Sequence, residues 1–378
     1  MNKAKVYGLL IAGILITGFS SPKAQAGVKD NSWVDNNMIK VIENTVSLTT
    51  SEIGEATNNI GYWSMSKKSN HYVVPIEVKH PGLVTIIVKA DNLKDGSINC
   101  GLYKDIKLTT EIGETKGLSK NKTEVISKYN LKKGTYYFAL EKQGAAKGTA
   151  VKGVIGAIVL RSDDRTIKTN KSYYGYFDED NDEIYYKLTV NNDGYIIIKG
   201  TSRMILSICD TDKNVVSGTK ILSSENNYSA VFALNNGTYY IKLKGDKGEF
   251  ALGNQFVEVP AITKEIKTVD VGSKQIFILG PQNKADETYW IKLELKKPTK
   301  LKLNTVWMGG YGRVNFSIKY SGDTKVYFND YYIDNTKTSS VIKLAGDKEW
   351  NAGTYYIGVQ KDTDLAYSIL SIELEKIN

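Results

Sequence analysis

The densest cluster of side chains able to bind a metal ion or take part in a reaction is an acidic stretch, FDEDNDE, at residues 177–183. Asp178, Asp180 and Asp182 alternate along it, and Glu183 follows directly. Calcium prefers several hard oxygen ligands on a flexible loop, so these four carboxylates predict a calcium site. The stretch begins like an EF-hand loop, but Glu183 stands at the sixth position, where that loop requires glycine. The alternative is an acidic loop that is only solvated.

Recognisable catalytic motifs are absent from the sequence. The chain has two histidines, His71 and His80, and contains neither an H-E-x-x-H nor a G-x-S-x-G motif. A pair of carboxylates for glycoside hydrolysis stays an alternative, because 41 acidic residues always allow some pair. We therefore expect a protein that is not an enzyme.

Residues 1–26 have the pattern of a secretory signal peptide. Lys3 and Lys5 begin it, an apolar run follows at residues 6–19, and an A-x-A motif ends at Ala26. A membrane-spanning helix needs about 20 apolar residues, so this run is too short to favour one. The sequence predicts a secreted, extracellular protein without a membrane span after cleavage. Any association with a cell surface is expected to be non-covalent.

The charge of the chain is modestly positive. The formal net charge is +9, and it falls to +6 when the three lysines of the signal peptide are removed. This bias favours anionic glycans or wall polymers as partners, or it reflects only a solvated, lysine-rich surface. No dense basic tract is present, so we expect no nucleic-acid partner.

The rest of the sequence repeats itself. The word GTYY occurs at residues 134–137, 237–240 and 353–356. Upstream of each copy, the segments 72–88, 184–200 and 289–304 align without a gap. Apolar and polar residues alternate along them, which predicts half-buried strands, and a turn with glycine or proline predicts that each pair forms a hairpin.

Each repeat of about 103–116 residues is long enough for a domain of its own. The pattern predicts an all-β protein of three tandem antiparallel β-sandwich domains of jelly-roll type. We place the domains at residues 27–160, with an N-terminal leader, 161–258 and 259–378.

The two tyrosines of GTYY have opposite orientations. The first ones alternate in phase with the apolar residues, and an apolar residue precedes each glycine by three positions, which predicts buried tyrosine corners. These first tyrosines are Tyr136, Tyr239 and Tyr355. The second ones face outward and are candidates for ligand binding, or else they only cover the outer face of the sheet. These second tyrosines are Tyr137, Tyr240 and Tyr356.

The two cysteines, Cys100 and Cys209, lie in different repeats, each within an apolar strand-like run. We expect buried reduced thiols, with a bridge between domains as the alternative.

The repeat resembles the bacterial pre-peptidase C-terminal domain family. The likeness rests on a D-x-Y-apolar-x-apolar strand, a glycine turn and a final G-T-Y-Y-apolar-x-apolar strand, best seen at residues 182–190 and 237–245. Repeat 1 departs from it, because SNHYVVPI lacks the acidic residue before the strand. The resemblance implies secreted jelly-roll sandwiches, similar to the collagen-binding modules of clostridial collagenases, and it implies calcium at acidic loops near residue 178.

These observations predict a secreted, non-catalytic binding or adhesion protein that recognises an extracellular matrix protein, a glycan or a wall polymer. Two alternatives stay open. One is an accessory or inhibitory partner of a secreted protease. The resemblance implies it, because domains of that family are usually attached to exported proteases. The other is a glycan-acting hydrolase with an unrecognised carboxylate site. The ligand and the oligomeric state are not predicted.

Overall fold

The computed structural model describes residues 48–49, 51–52, 60–161, 164–322, 327–344 and 349–377, and nearly all of them lie in or between β-strands. The predicted signal peptide and most of the leader lie outside the described residues. Within these ranges, none of the helical segments has the length and apolar character needed to cross a membrane.

The strands are numbered in chain order and grouped here by sequence repeat. Repeat 1 has β1 (Leu48–Thr49), β2 (Ser51–Glu52), β3 (Ile60–Met65), β4 (His71–Val78), β5 (Gly82–Ala90), β6 (Ser97–Tyr103), β7 (Glu111–Ser119), β8 (Glu124–Leu131), β9 (Gly134–Gln143) and β10 (Val151–Arg161). Repeat 2 has β11 (Arg165–Ile167), β12 (Ser172–Phe177), β13 (Asp182–Val190), β14 (Gly194–Gly200), β15 (Met204–Cys209), β16 (Lys220–Leu222), β17 (Ser229–Leu234), β18 (Gly237–Gly245) and β19 (Gly248–Glu258). Repeat 3 has β20 (Lys267–Val269), β21 (Lys274–Leu279), β22 (Tyr289–Leu295), β23 (Leu301–Tyr311), β24 (Arg313–Tyr320), β25 (Tyr327–Asp334), β26 (Ser339–Leu344), β27 (Gly353–Lys361) and β28 (Tyr367–Lys376).

Each repeat has a five-stranded sheet that contains its GTYY strand, called here the GTYY sheet. The strand orders are β1-β4-β9-β6-β7, β11-β13-β18-β15-β16 and β20-β22-β27-β24-β25. In each, the first strand is parallel to the second and the other pairs are antiparallel. The opposite sheets have the orders β3-β10-β5-β8, β12-β19-β14-β17 and β21-β28-β23-β26. The protein therefore consists of tandem, mainly antiparallel β-sandwiches of jelly-roll type, as the sequence predicts.

The predicted hairpins are wrong. β4 pairs with β1 and β9 in the GTYY sheet, whereas the next strand, β5, pairs with β8 and β10 in the opposite sheet. The same crossing occurs between β13 and β14 and between β22 and β23. Alternation shows which face of a strand is buried, but both sheets of a sandwich bury one face on the same core. The pattern therefore cannot distinguish a hairpin from a turn that crosses the core.

Alternation does predict which residues form the core. Along β13, Ile184, Tyr186 and Leu188 are buried, whereas Glu183 and Lys187 are exposed. Each repeat has its own core cluster of such inward residues. The core of repeat 2 also includes Ile278, Tyr367 and Ile369 from repeat 3.

Repeats 1 and 2 share one nine-stranded sheet, because β10 of repeat 1 pairs in parallel with β12 of repeat 2 at Arg161 and Gly175. A small apolar cluster of Leu83, Leu160 and Tyr176 spans this junction. The proposed domain boundaries at residues 160/161 and 258/259 fall at or next to the ends of β10 and β19. The division into domains stays a prediction.

Both cysteines are buried, each within its own repeat. Cys100 belongs to the core of repeat 1, and its Sγ lies 3.7 Å from the carbonyl oxygen of Ile98. Cys209 ends β15 of repeat 2, and burial raises the pKa of its thiol. The expectation of buried reduced thiols is confirmed.

Two lysines are fully buried at the same place in different repeats. Lys142 and Lys361 each stand eight residues after the glycine of GTYY, on the inward side of the strand. The Lys361 ammonium donates to the carbonyl oxygens of Gly280, Asp364 and Ala366 at 3.2, 2.9 and 2.8 Å. A buried ammonium needs such acceptors because it has lost its water.

Candidate binding faces on the GTYY sheets

The first tyrosines of GTYY anchor the turn that enters the strand. The hydroxyl of Tyr136 donates to the carbonyl oxygen of Lys132 at 3.0 Å, and that of Tyr355 donates to Asn351 at the same distance. Gly353 has a φ of +149°, a left-handed region that favours glycine. The hydrogen bond of the predicted tyrosine corner is therefore confirmed in repeats 1 and 3, although Tyr136 and Tyr355 are half-buried rather than buried.

Repeat 2 satisfies the equivalent hydroxyl differently. Tyr239 is buried, and its hydroxyl bonds to the side chain of Gln282 from the loop after β21. Burial raises the pKa of Tyr239 to about 12. The amide of Gln282 also donates to the carbonyl oxygen of Asn236 at 2.9 Å. Gln282 therefore links both this tyrosine and the turn of repeat 2 to repeat 3.

The second tyrosines, Tyr137, Tyr240 and Tyr356, lie half-buried on the outer face of their sheets, opposite the core. Each is thus partly accessible, and none stands alone. What surrounds them differs among the three repeats, so we describe each face in turn.

On repeat 1 the outer tyrosine is part of an apolar cluster. Tyr137 packs against buried Val73, Tyr103, Leu108 and Ala139. Burial raises the pKa of Tyr103 to about 12. This face behaves as a small second core, and it offers little aromatic surface to a ligand.

On repeat 2 the outer tyrosine pairs with a second ring. Tyr240 and Tyr185 make an edge-to-face contact with centroids 6.4 Å apart. The ammonium of Lys213 lies 4.2 Å from the Tyr185 centroid and 5.3 Å from that of Tyr240. Asp164 Oδ2 is 2.7 Å from the same ammonium, and this bond raises the pKa of Lys213. The cation on these rings is therefore neutralised by the protein itself.

On repeat 3 a tryptophan replaces the second tyrosine ring. The ammonium of Lys319 lies 4.2 Å from the Trp290 centroid and 5.5 Å from the Tyr356 centroid. Trp290 lies over Gly358, where a Cβ would come within 2.8 Å of its ring. The same Cβ would come within 2.3 Å of Ser317 Oγ, so the glycine leaves room for both the serine and the ring to lie close to the sheet.

In the acidic loop before β13, each of the four carboxylates predicted to bind calcium has its own partner. Asp178 accepts from the amide of Asn130 in repeat 1 at 2.8 Å, and Asp180 accepts from the backbone N–H of Lys247 at 3.0 Å. Asp182 accepts from the backbone N–H groups of Asp178 and Glu183.

Glu183 turns away from the loop to Lys242, 2.9 Å away, and the hydrogen bond to that ammonium lowers the pKa of Glu183. Across the described part of the chain, no group of three or more His, Cys, Asp or Glu side chains is arranged to hold a metal ion. Calcium at Asp178, Asp180, Asp182 and Glu183 stays a prediction, and binding would require these carboxylates to exchange their present partners.

A small groove opens at the edge of repeat 3 between β20 and β21. Its volume is 60 Å³, and Pro260, Ile262, Phe277 and Trp290 contribute to its apolar walls. The groove is far smaller than the roughly 300–1,000 Å³ of typical pockets for small-molecule ligands. The open outer faces, rather than this groove, are the surfaces on which a large ligand fits.

Sequence reasoning identified the outer tyrosines but missed the residues beside them. Trp290 and Tyr185 had a detectable signal, because they occupy equivalent outward positions in the aligned segments. Lys213 and Lys319 had none, since one comes from a turn after β15 and the other from β24.

The chain matches no family model, and it matches no curated protein. Several solved structures are similar in fold. The pre-peptidase C-terminal domain of a collagenase from Bacillus anthracis is 12% identical, with a TM-score of 0.23, and the match covers 30% of this chain and 96% of that one. The triple jelly roll of an archaeal virus is 10% identical, with a TM-score of 0.18, covering 94% and 96%. The CUB1-EGF-CUB2 segment of rat MASP-1 is 8% identical, with a TM-score of 0.18, covering 55% and 99%.

At these levels of similarity, the comparisons carry no argument about function. The class that the fold itself defines is an all-β protein of tandem β-sandwiches. The resemblance to the pre-peptidase C-terminal family is a likeness to a solved domain, and three copies of that domain stay a prediction.

Proposed function

We propose that this is a secreted, non-catalytic binding or adhesion protein that recognises an extracellular matrix protein, a glycan or a wall polymer. The observation that supports the proposal is the outer tyrosine, which lies half-buried at the same place on each GTYY sheet. In repeats 2 and 3 it stands beside another aromatic ring and a lysine. Aromatic rings offer a large contact area at a low cost in conformational entropy, which suits a binding surface.

Several modules on one chain also suit recognition of a repetitive surface. Each face is open and shallow, so a single contact is expected to be weak. Linked faces on one chain gain avidity, because the second contact forms at a high effective concentration. This role requires no catalytic group, and it agrees with the predicted export.

Retention of the full chain on immobilised collagen, mucin and bacterial wall preparations tests the proposal. We expect wild-type protein to be retained on at least one of these, and Tyr240→Ala with Tyr356→Ala to weaken retention. Tyr62→Ala is the matched control, because Tyr62 is 80% exposed but lies outside the GTYY sheets. No retention above an inert protein on any of the three surfaces would refute the proposal.

A further inference from the structure

The outer face of the GTYY sheet in repeat 3 carries a second cation–aromatic group. At one end of β24, Lys319 lies on the rings of Trp290 and Tyr356. At its other end, the guanidinium carbon of Arg313 lies 4.0 Å from the Tyr332 centroid. The ammonium of Lys337 lies 4.8 Å from the same Tyr332 ring.

The two groups lie on one face and are well separated. Arg313 and Lys319 are six residues apart on one strand, so their side chains share a face. At about 3.3 Å per residue their backbones are roughly 20 Å apart. Between them stands Ser317, whose cross-strand partner is Gly358. The paired residues at the centre of the face are uncharged, and the rings and cations stand at its ends.

The charges on this face do not balance. Glu294 is engaged by Lys292, and Asp334 lies 3.8 Å from Arg313. Within the part of the chain that the structure describes, no carboxylate lies within ion-pair distance of Lys319 or Lys337. Repeat 2 provides the contrast, because Lys213 sits on its rings in the same way but is neutralised by Asp164 at 2.7 Å. Among the described residues, Lys319 thus lies on aromatic rings with no carboxylate in ion-pair distance, whereas Lys213 has Asp164.

We propose that this face binds a polysaccharide chain that carries repeated anionic groups. The inference deepens the proposed function and rests on it. Lys319 contacts an anionic substituent, while the accessible parts of Trp290 and Tyr356 contact the apolar side of a sugar ring. Charge attraction is stronger here than for an isolated surface lysine, because the rings hold the Lys319 ammonium in place.

The shape of the face favours an extended polymer over a folded partner. A polymer with a ring and a charge in every unit meets both aromatic groups, although they are roughly 20 Å apart along the strand. It needs no deep pocket, and the open face offers none. A stable protein partner instead commonly buries about 800 Å² on each side. The centre of such an interface holds few charged side chains, whereas the face proposed here binds through its lysine.

The test uses the full chain and three immobilised polymers: polygalacturonate, dextran sulfate and neutral dextran. We expect wild-type protein to bind at least one anionic polymer and to ignore neutral dextran, with weaker binding as salt rises. Lys319→Gln should weaken binding by about fivefold. Lys302→Gln removes the same charge from the opposite sheet of the same repeat, where Glu375 pairs with it, and we expect a change of less than about twofold. Thermal melting verifies that both variants are folded.

Any of four other outcomes would contradict the proposal in whole or in part. If Lys319→Gln and Lys302→Gln weaken binding equally, net charge and not this face is responsible, and the inference fails. If wild-type protein ignores all three polymers but is retained on collagen, the inference fails and the proposed function stands. If polyglutamate binds as well as the polysaccharides and depends equally on Lys319, the partner is an acidic protein segment and the sugar contact is wrong. Retention on no surface in either assay removes both proposals.

Discussion

The ring of Phe177 occupies the space that a side chain at Gly245 would need. A Cβ at Gly245 would come within 2.4 Å of Phe177 Cε2. Repeats 1 and 3 have Lys142 and Lys361 at the equivalent position, where the ammonium is fully buried. One place in the sandwich is thus filled either by a buried cation or by an aromatic ring from the facing strand.

The contact between Phe177 and Gly245 predicts that a methyl group added at residue 245 destabilises the folded protein. Gly245→Ala should lower the free energy of unfolding by about 1–3 kcal/mol, because overpacking displaces a buried ring. Chemical denaturation measures it. Gly253→Ala is the control, since its nearest neighbour, Ser172 Oγ, would be 3.4 Å from the new Cβ. A second change, Phe177→Met, should recover part of the loss, and equal losses at Gly245 and Gly253 would contradict the steric account.

Because of Lys361, we expect the stability of the folded protein to change with pH in the alkaline range. Burial lowers its pKa from 10.5 to about 8. Between these values the unfolded chain holds a proton that the folded chain has released, so the contribution of Lys361 to stability rises with pH. The window runs from about pH 8 to about pH 10.5.

Comparison with Lys361→Met isolates this effect. The difference in unfolding free energy between wild type and variant should shift in favour of wild type by about 1–2 kcal/mol between about pH 7 and about pH 9.5. Denaturant titrations at the two pH values measure it. A difference that is constant with pH would show that the lysine keeps its proton throughout.

The tyrosine corners predict a cost for removing a single hydroxyl. Tyr136→Phe and Tyr355→Phe should each cost about 0.5–1.5 kcal/mol of unfolding free energy, because each loses one hydrogen bond to a backbone carbonyl. Tyr62→Phe is the control, since its side chain is exposed, and it should change little. Melting curves of the three variants decide, and equal shifts for all of them would count against the corner.

Calcium binding at the acidic loop makes a separate prediction. A bound ion stabilises only the folded state, so the melting temperature should rise with calcium and fall with a chelator. Asp180→Asn should abolish the calcium response. An unchanged melting temperature would instead mean that the carboxylates keep the partners seen here, including Asn130 for Asp178.

Much of the fold was predictable because alternation is a local signal. Along β13 the residues Ile184, Tyr186 and Leu188 are buried as the period of two requires. The turn after β13 was recognised from its sequence, but its path between the sheets was not. Which strands pair depends on contacts distant in sequence, such as those of β13 with β18. No local pattern contains that information.

The buried lysines show a different limit. Lys142 lies on the same face of its strand as the buried Phe138 and Leu140, so alternation alone predicts that its side chain points into the core. Lysine is nonetheless among the residues least often buried, and composition alone places it in water. Its acceptors, the carbonyl oxygens of Ser66 and Thr149, lie in two turns distant from each other in the sequence. Only the folded chain brings them together.

The candidate binding faces were predictable in part. The outward phase of Tyr240 and Tyr356 followed from the position of the second tyrosine in GTYY. The lysines on their rings did not, because Lys213 reaches its site from a turn after β15 and Lys319 from an adjacent strand. Asp164, which neutralises one of them, lies on a segment that precedes the whole repeat-2 sheet.

The parallel pairing of Arg161 with Gly175 has a mechanical consequence. It makes one sheet continuous from repeat 1 to repeat 2, and Leu83, Leu160 and Tyr176 pack across the join. A tensile load applied to the chain, as when an attached surface is sheared by flow, passes from one repeat to the next through backbone hydrogen bonds and packed side chains. Repeats 1 and 2 therefore cannot move apart under tension unless this pairing and packing are broken.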